Sequence, residues 1–300
     1  MKIQLKEITI KELAEGYQDN DNEGVKGYGG KLDIRPPYQR EFIYGDKERN
    51  AVIDTVSKKF PLNVMYWAVR EDGNYEIIDG QQRTISICEY ITNVFSVKIF
   101  NYNDSRTFNN LQEDEKFQIL NKYKLMVYLC DGTDSEKLKW FETINIAGKV
   151  LTKQELRNAT FNGSWVTSAK RYFSKNGCVA QQIGSDYLNG SANRQEYLET
   201  AIDWISEGNI KVYMSNHQHD QNASALWLYF QSVITWIEST FTVKRRRFMK
   251  GVDWGSLYNK FKDNVYNTDE IEAETARLIA DDDVENKRGI YPYILTRDER

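Results

Sequence analysis

Apolar positions along this chain change their spacing about halfway through. In the first half they come as short runs, continuous or alternating, at Leu62 to Val69, Tyr75 to Ile78, Val97 to Tyr102 and Lys124 to Leu129, which predict strands. Asp72-Gly73 between the first two predicts a hairpin turn. Residues 1–15 read as a short strand feeding a helix. Asp46 is placed to cap a second helix running to about Lys59, with Val52, Val56 and Phe60 along its buried side. A further helix is expected near Glu113 to Leu120. Thr133 with Glu136, and Thr152 with Glu155, have the spacing of capping boxes and predict two more helix starts. Beyond Asn158 the strand-like runs thin out. Amphipathic stretches replace them at Gln195 to Ile205, Ala223 to Phe241 and Ile271 to Ile279, the middle one apolar enough (Leu226, Phe230, Val233, Ile234, Ile237) to form the centre of a helical domain. The expected organisation is therefore α+β, with a small mixed sheet over residues 1–158 and a mostly α-helical domain over 159–300.

The stretch YEIIDGQQRTISICEYI, Tyr75 to Ile91, joins a predicted strand to a predicted helix with Ile85, Cys88 and Ile91 on one side. Asp79, Gln81, Gln82 and Arg83 lie at the junction. Polar groups between two apolar runs must be hydrogen-bonded or desolvated at a cost. Two readings are open: an oxyanion or phosphate held at a helix N-terminus, or a structural pair of Arg83 with Asp79. Upstream, Leu32 to Arg40 (LDIRPPYQR) is stiffened by Pro36-Pro37, so Arg35, Tyr38, Gln39 and Arg40 project from a preorganised segment. An edge strand with paired arginines accounts for the same residues. Between these and the first helix, Gly16 to Gly30 reads as a polar, glycine-rich loop. The Gly-x-x-x-x-Gly-Lys-Ser/Thr order of a phosphate loop is absent from the chain. Asn145, Lys149 and Arg157 are candidates to close over the site, and an ordinary connection between helices explains them equally well.

Composition narrows the partners. With 40 basic and 44 acidic residues the net charge is −4, so any polyanion site must be a local patch. Lys244, Arg245, Arg246 and Arg247 form the strongest basic cluster, a DNA-backbone contact or a solvated helix end. His217, His219 and Asp220 lie close together, but two histidines without a nearby cysteine pair make a poor metal set, and no metal site is expected. Cys88, Cys130 and Cys178 are far apart and odd in number, as buried thiols in a reducing compartment would be. No apolar window reaches membrane-span length and the start lacks a signal core, so the expectation is a cytoplasmic protein. An aromatic content of 13% suits either thick helical packing or a base-stacking surface.

RPPYQR (Arg35 to Arg40) together with DGQQRT (Asp79 to Thr84) resembles the DUF262 family, the GmrS-like half of modification-dependent restriction systems, whose N-terminal domain is related to the ParB/sulfiredoxin fold. The resemblance continues through FETINIAGKVLTKQELRNA, YMSNHQHDQNASALWLYFQSVITWI, KGVDWGSLYNKFKD and KRGIYPYIL. It implies nucleotide binding and hydrolysis at Asp79, Gly80, Gln81, Gln82 and Arg83, and sensing of modified DNA by Pro36, Pro37, Tyr38, Gln39 and Arg40. The cofactor implied is Mg2+ with a nucleoside triphosphate. Relatives carry an HNH nuclease domain after a segment like residues 287–300, so the expected partners are DNA and an HNH-type nuclease domain or protein, with self-association open. On this basis Arg83 and Arg40 would clamp phosphate oxygens. Gln81 or Gln82 would orient water, and Asp79 would hold Mg2+ through water or fix Arg83. Arg35 and the basic cluster would contact DNA. A modified-DNA binding module without turnover and a protein-interaction scaffold are the alternatives.

Overall fold

Thr9 closes the first strand and opens the first helix at a single residue. Its hydroxyl accepts from the Glu12 amide at 3.1 Å while its own N–H donates to Glu12 Oε2 at 2.7 Å. In the computed structural model, which describes residues 1–20, 24–36, 39, 42–144, 152–242 and 246–297, the chain divides into two units, Met1–Leu151 and Thr152–Arg300. The side chains of residues 138, 141, 142 and 246 also lie outside the description.

The first unit is a seven-stranded mixed sheet with helices. Its elements run β1 (Lys2–Thr9), α1 (Ile10–Ala14), β2 (Gln18–Asn20), β3 (Gly24–Gly27), β4 (Leu32–Asp33), α2 (Asp46–Ser57), β5 (Met65–Val69), β6 (Tyr75–Asp79), α3 (Gln81–Ile91), α4 (Glu113–Phe117), β7 (Lys124–Asp131) and α5 (Asp134–Ile144). A π-helical turn, Gln118–Lys122, extends α4. The strand order is β1-β7-β5-β6-β4-β3-β2. β5 runs parallel to β7 and β4 parallel to β6; the other pairs are antiparallel. β1 and β7 pair from Lys2↔Asp131 to Thr9↔Lys124. β4 meets β6 through Leu32↔Tyr75 and Asp33↔Glu76 alone. Met65, Trp67, Ile77 and Val127 form the core with Ile10 and Leu13 of α1, Val52, Ile53 and Val56 of α2, and Ile85, Ile87, Cys88 and Tyr90 of α3.

Several expectations are corrected. Gly16 to Gly30 is not simply a loop. Its described residues form the β2–β3 hairpin at the sheet edge, where a Cβ on Gly27 would lie 2.8 Å from the Leu13 carbonyl oxygen. Val97 to Tyr102 is not a strand. Only a Val97↔Arg106 bridge forms, and Phe100 and Asn101 take positive φ, which ends extended pairing. The cap of α2 is Gly45, whose N–H donates to Glu48 Oε2 at 3.1 Å, while Asp46 pairs with Arg49. Phe60 is 60% exposed, because Lys59 at φ +60° turns the chain away before it.

The second unit is helical: α6 (Lys153–Thr160), α7 (Ser164–Phe173), α8 (Val179–Gly184), α9 (Glu196–Ser206), α10 (Ile210–His217), α11 (Ser224–Thr240), α12 (Arg246–Met249), α13 (Trp254–Phe261), α14 (Thr268–Ala280) and α15 (Ile290–Thr296). α11 presents Leu226, Phe230, Val233, Ile234 and Ile237 to the core. Phe230 lies 5.3 Å from Phe173 and 5.9 Å from Trp204, ring centre to ring centre. Trp254 contacts Phe241 and Tyr291, and its indole N–H donates to the Met249 carbonyl at 2.9 Å. Much of the aromatic content in this half is therefore core. A strand unit followed by a helical unit makes the chain α+β.

Candidate functional site

β6 ends on Asp79 and α3 starts at Gln81, with Gly80 between them at φ +103°. A Cβ on Gly80 would lie 2.7 Å from Met65 Cγ, so both the backbone conformation and the space demand glycine. Gly80 offers no side-chain cap to α3. One turn into the helix, Arg83 Nη2 donates to Asp79 Oδ2 at 2.7 Å and to the Val64 carbonyl at 3.3 Å, and Nη1 donates to the Asn63 carbonyl. The guanidinium thus ties the run into β5 to the end of β6. It spends three of its five donors there, and its side chain is 13% exposed. The Asp79 side chain keeps 34% exposure and one carboxylate oxygen beyond the pair.

The neighbouring amides face inward, because α3 is buried between the sheet and α1 and α2 along most of its length. Gln81 and Gln82 are both buried. Gln82 Oε1 accepts from the backbone N–H of Ile43 at 2.8 Å and of Tyr44 at 3.2 Å, while its Nε2 donates to Gln81 Oε1 at 3.0 Å. Gln39, also buried, donates from Nε2 to the carbonyls of Ile77 and Ile78 at 3.1 and 3.0 Å. These two glutamines clasp the segment after β4 onto β6 and α3. RPPYQR and DGQQRT are thereby brought into one assembly. Pro36 is buried beside it, whereas Pro37, Tyr38 and Arg40 lie outside the described residues.

Charged groups flank the clasp, among them Arg35, which the sequence had marked as a candidate, and Arg49 and Arg70, which it had not. Arg35 pairs with Asp19 at 3.4 Å. Arg49 pairs with Asp46 at 2.7 Å and Glu89 at 3.3 Å, with its guanidinium 4.5 Å above the Phe95 ring. Burial pushes the Glu89 carboxyl up, and the Arg49 hydrogen bond works against that rise. Arg70 Nη2 reaches both Asp33 and Glu76 at 2.9 Å. Burial also raises the Asp33 carboxyl. A signal for the last group was present in the sequence: Arg70 and Glu76 flank the Asp72-Gly73 turn, where a hairpin brings its two sides together.

The remaining candidates separate. Lys244 and Arg245 lie outside the described residues, as does the side chain of Arg246. Arg247 is exposed, 5.6 Å above the Phe248 ring. Asn145 and Lys149 are likewise undescribed. Arg157 is committed within the second unit, to Gln154 Oε1 at 2.9 Å and Glu199 Oε1 at 2.8 Å. There it borders a buried amide network in which Gln154 donates to Asn158, and Asn158 and Ser174 donate to Gln195. His217 pairs with Asp220 at 2.7 Å beside the rings of Tyr213 and Trp165. Among the described residues no three His, Cys, Asp or Glu side chains converge as a metal set. No helix among them is long and apolar enough to cross a membrane. Cys88, Cys130 and Cys178 are free and buried, and burial pushes the Cys88 and Cys130 thiols up.

Residues 15–162 match the family model described as the GmrSD restriction endonuclease, N-terminal domain. No curated protein and no solved structure matches the chain.

Proposed function

We propose that this chain, whose residues 15–162 belong to the GmrSD N-terminal domain family and mark it as a restriction-system component, senses modified DNA and couples that sensing to a nucleoside triphosphate at Asp79 to Arg83. The observation that carries the proposal is the double clasp by Gln39 and Gln82. Through it, a shift at the end of β6 bears on Gln39, and a shift at the start of α3 bears on Ile43 and Tyr44. The uncapped N-terminus of α3 suits a phosphate, with backbone dipoles and an adjacent glycine allowing close approach. Arg40 is the cation assigned to the outer phosphates. Arg83 holds the floor of the site and keeps two donors for an oxyanion. Pro37 and Tyr38 carry the contact with the modified base. Mg2+ would come carried on the phosphates of the triphosphate, while Asp79 fixes Arg83. The output is regulation of an attached or partner nuclease.

The test is reciprocity. Calorimetric titration with ATP, GTP and CTP plus Mg2+, with and without a modified duplex, is expected to show nucleotide affinity changing about fivefold or more when DNA is bound. Gln39→Leu is expected to leave nucleotide binding in place and bring the coupling factor close to one. A folded protein that takes up no nucleotide, alone or with modified duplex, overturns the nucleotide half of the proposal. The commitment of Arg83 to Asp79, Asn63 and Val64 favours the reading that would then remain, a modified-DNA binding module without turnover.

A further inference from the structure

Registers in the sheet place four side chains in one row across four strands. Leu5 of β1 faces Tyr128 of β7, Tyr128 faces Tyr66 of β5, and an irregularity in the β5–β6 register at Tyr66 sets Asp79 of β6 opposite it. At the usual strand separation such a row spans about 14 Å. The two tyrosine rings lie 5.5 Å apart at 34°, and the Trp140 ring of α5 stands edge-on to Tyr66 at 5.7 Å. Both tyrosines are half-buried. The outer end of the row is open, with Leu5 47% and its neighbour Ile3 50% exposed. The inner end is the carboxylate that pairs with Arg83.

We propose that Tyr66 and Tyr128 form a seat for a nucleobase, whose exocyclic amine points to Asp79. A purely apolar ligand would use the rings but not the polar groups around them. The indole N–H of Trp140 is buried and meets no acceptor among the described residues, and Asp79 has a carboxylate oxygen beyond its ion pair. An aromatic floor with a donor on one side and an acceptor at its end matches a flat heterocycle that carries both. Burial, then the neighbouring Tyr128 and Asp79, pushes the Tyr66 phenol up, so its O–H remains a donor at neutral pH. The base belongs either to a free nucleotide or to a nucleic-acid strand, and the seat rests on the proposed function only for that source.

Saturation-transfer NMR on the full chain distinguishes the outcomes, with ATP, CTP, UTP, base-free triphosphate and short single-stranded oligonucleotides of A or C as probes. Base protons of ATP and CTP are expected to receive saturation, and UTP, lacking an exocyclic amine, to bind more weakly. Tyr128→Leu is expected to raise Kd about tenfold and Tyr128→Phe to stay within about twofold of the parent. Tighter binding of the oligonucleotides than of the mononucleotides, with the same dependence on Tyr128, assigns the seat to a strand. If base-free triphosphate binds as well as ATP and Tyr128→Leu changes nothing, the seat is wrong and a phosphate site stands without it. Base-dependent binding that triphosphate does not compete with keeps the seat and removes the triphosphate site. No binding of any probe by the folded protein overturns both.

Discussion

Arg70 donates to Asp33 and Glu76 from one guanidinium, and the two carboxylates are about as buried as each other. Arg70→Met would leave both without that partner, at an expected cost of about 2 kcal/mol. The pH dependence has a definite sign. Asp33 titrates above its ordinary range because burial disfavours its charge. The folded state therefore holds its proton longer than the unfolded state, and stability falls as pH rises through the window above the ordinary aspartate range. Removing the guanidinium widens that window upward. Urea unfolding of Arg70→Met is expected to show a larger loss at pH 7 than at pH 4; an equal loss at both would mean the arginine acts through packing alone. At this scale the sequence showed which side chains needed partners, but not which partners. Asp79 and Arg83 do pair, four residues apart on one strand-to-helix turn. Gln39 and Gln82 instead reach backbone groups some forty positions away, and no local pattern announces such bonds.

Helix starts were the most legible elements, since their signal is a hydroxyl or carboxylate at fixed spacing. Thr133 and Thr152 cap the helices expected of them. Thr9 adds a third box that the strand-like sequence around it concealed. There, hydrogen bonds from the Thr9 amide and hydroxyl hold the Glu12 carboxyl below the usual glutamate range. Such a depressed carboxyl stabilises above its unfolded pKa, and the contribution is lost as pH falls through the folded value. Thr9→Val is expected to cost about 1 kcal/mol and to move Glu12 part of the way back towards the ordinary range in a carboxyl NMR titration, since the Thr9 amide bond remains. An unchanged Glu12 would show that the box does not form. Strands were less legible. Val97 to Tyr102 has the composition of a strand, but pairing needs a partner, and positive φ at Phe100 and Asn101 turns the chain first. Gly16 to Gly30 has the composition of a loop, yet it pairs because short, glycine-flanked strands suffice at a sheet edge.

The two halves keep separate cores, one built around Trp67 and Ile77 and the other around Phe230 and Trp254. Phe230→Ala removes a ring lodged among Phe173, Trp204 and Trp227, an expected loss of about 3–5 kcal/mol. Hydrogen exchange read by mass spectrometry should place that loss in Thr152–Arg300 and leave β5, β6 and β7 protected; a uniform loss over both units would show one cooperative core. The change from strand-like to helical patterning was readable because it rests on periodicity. The row from Leu5 to Asp79 was not, because it joins the first, seventh, fifth and sixth strands in that order, and adjacency of that kind follows from topology.

The seam between β4 and β6 has a mechanical consequence. β1 is fastened to β7 by eight residue pairs, whereas the edge formed by β2, β3 and β4 is fastened to β6 by two, riveted by Arg70 across Asp33 and Glu76. A pull on β2 or β3 loads that short seam first. Behind it, the anchorage passes to the glutamine clasp, which grips backbone and is indifferent to the side chains it holds. The edge is thus tied to the sheet by few backbone bonds, and it is the burial of Val25, Leu32 and Ile34 in the shared core that keeps it in place.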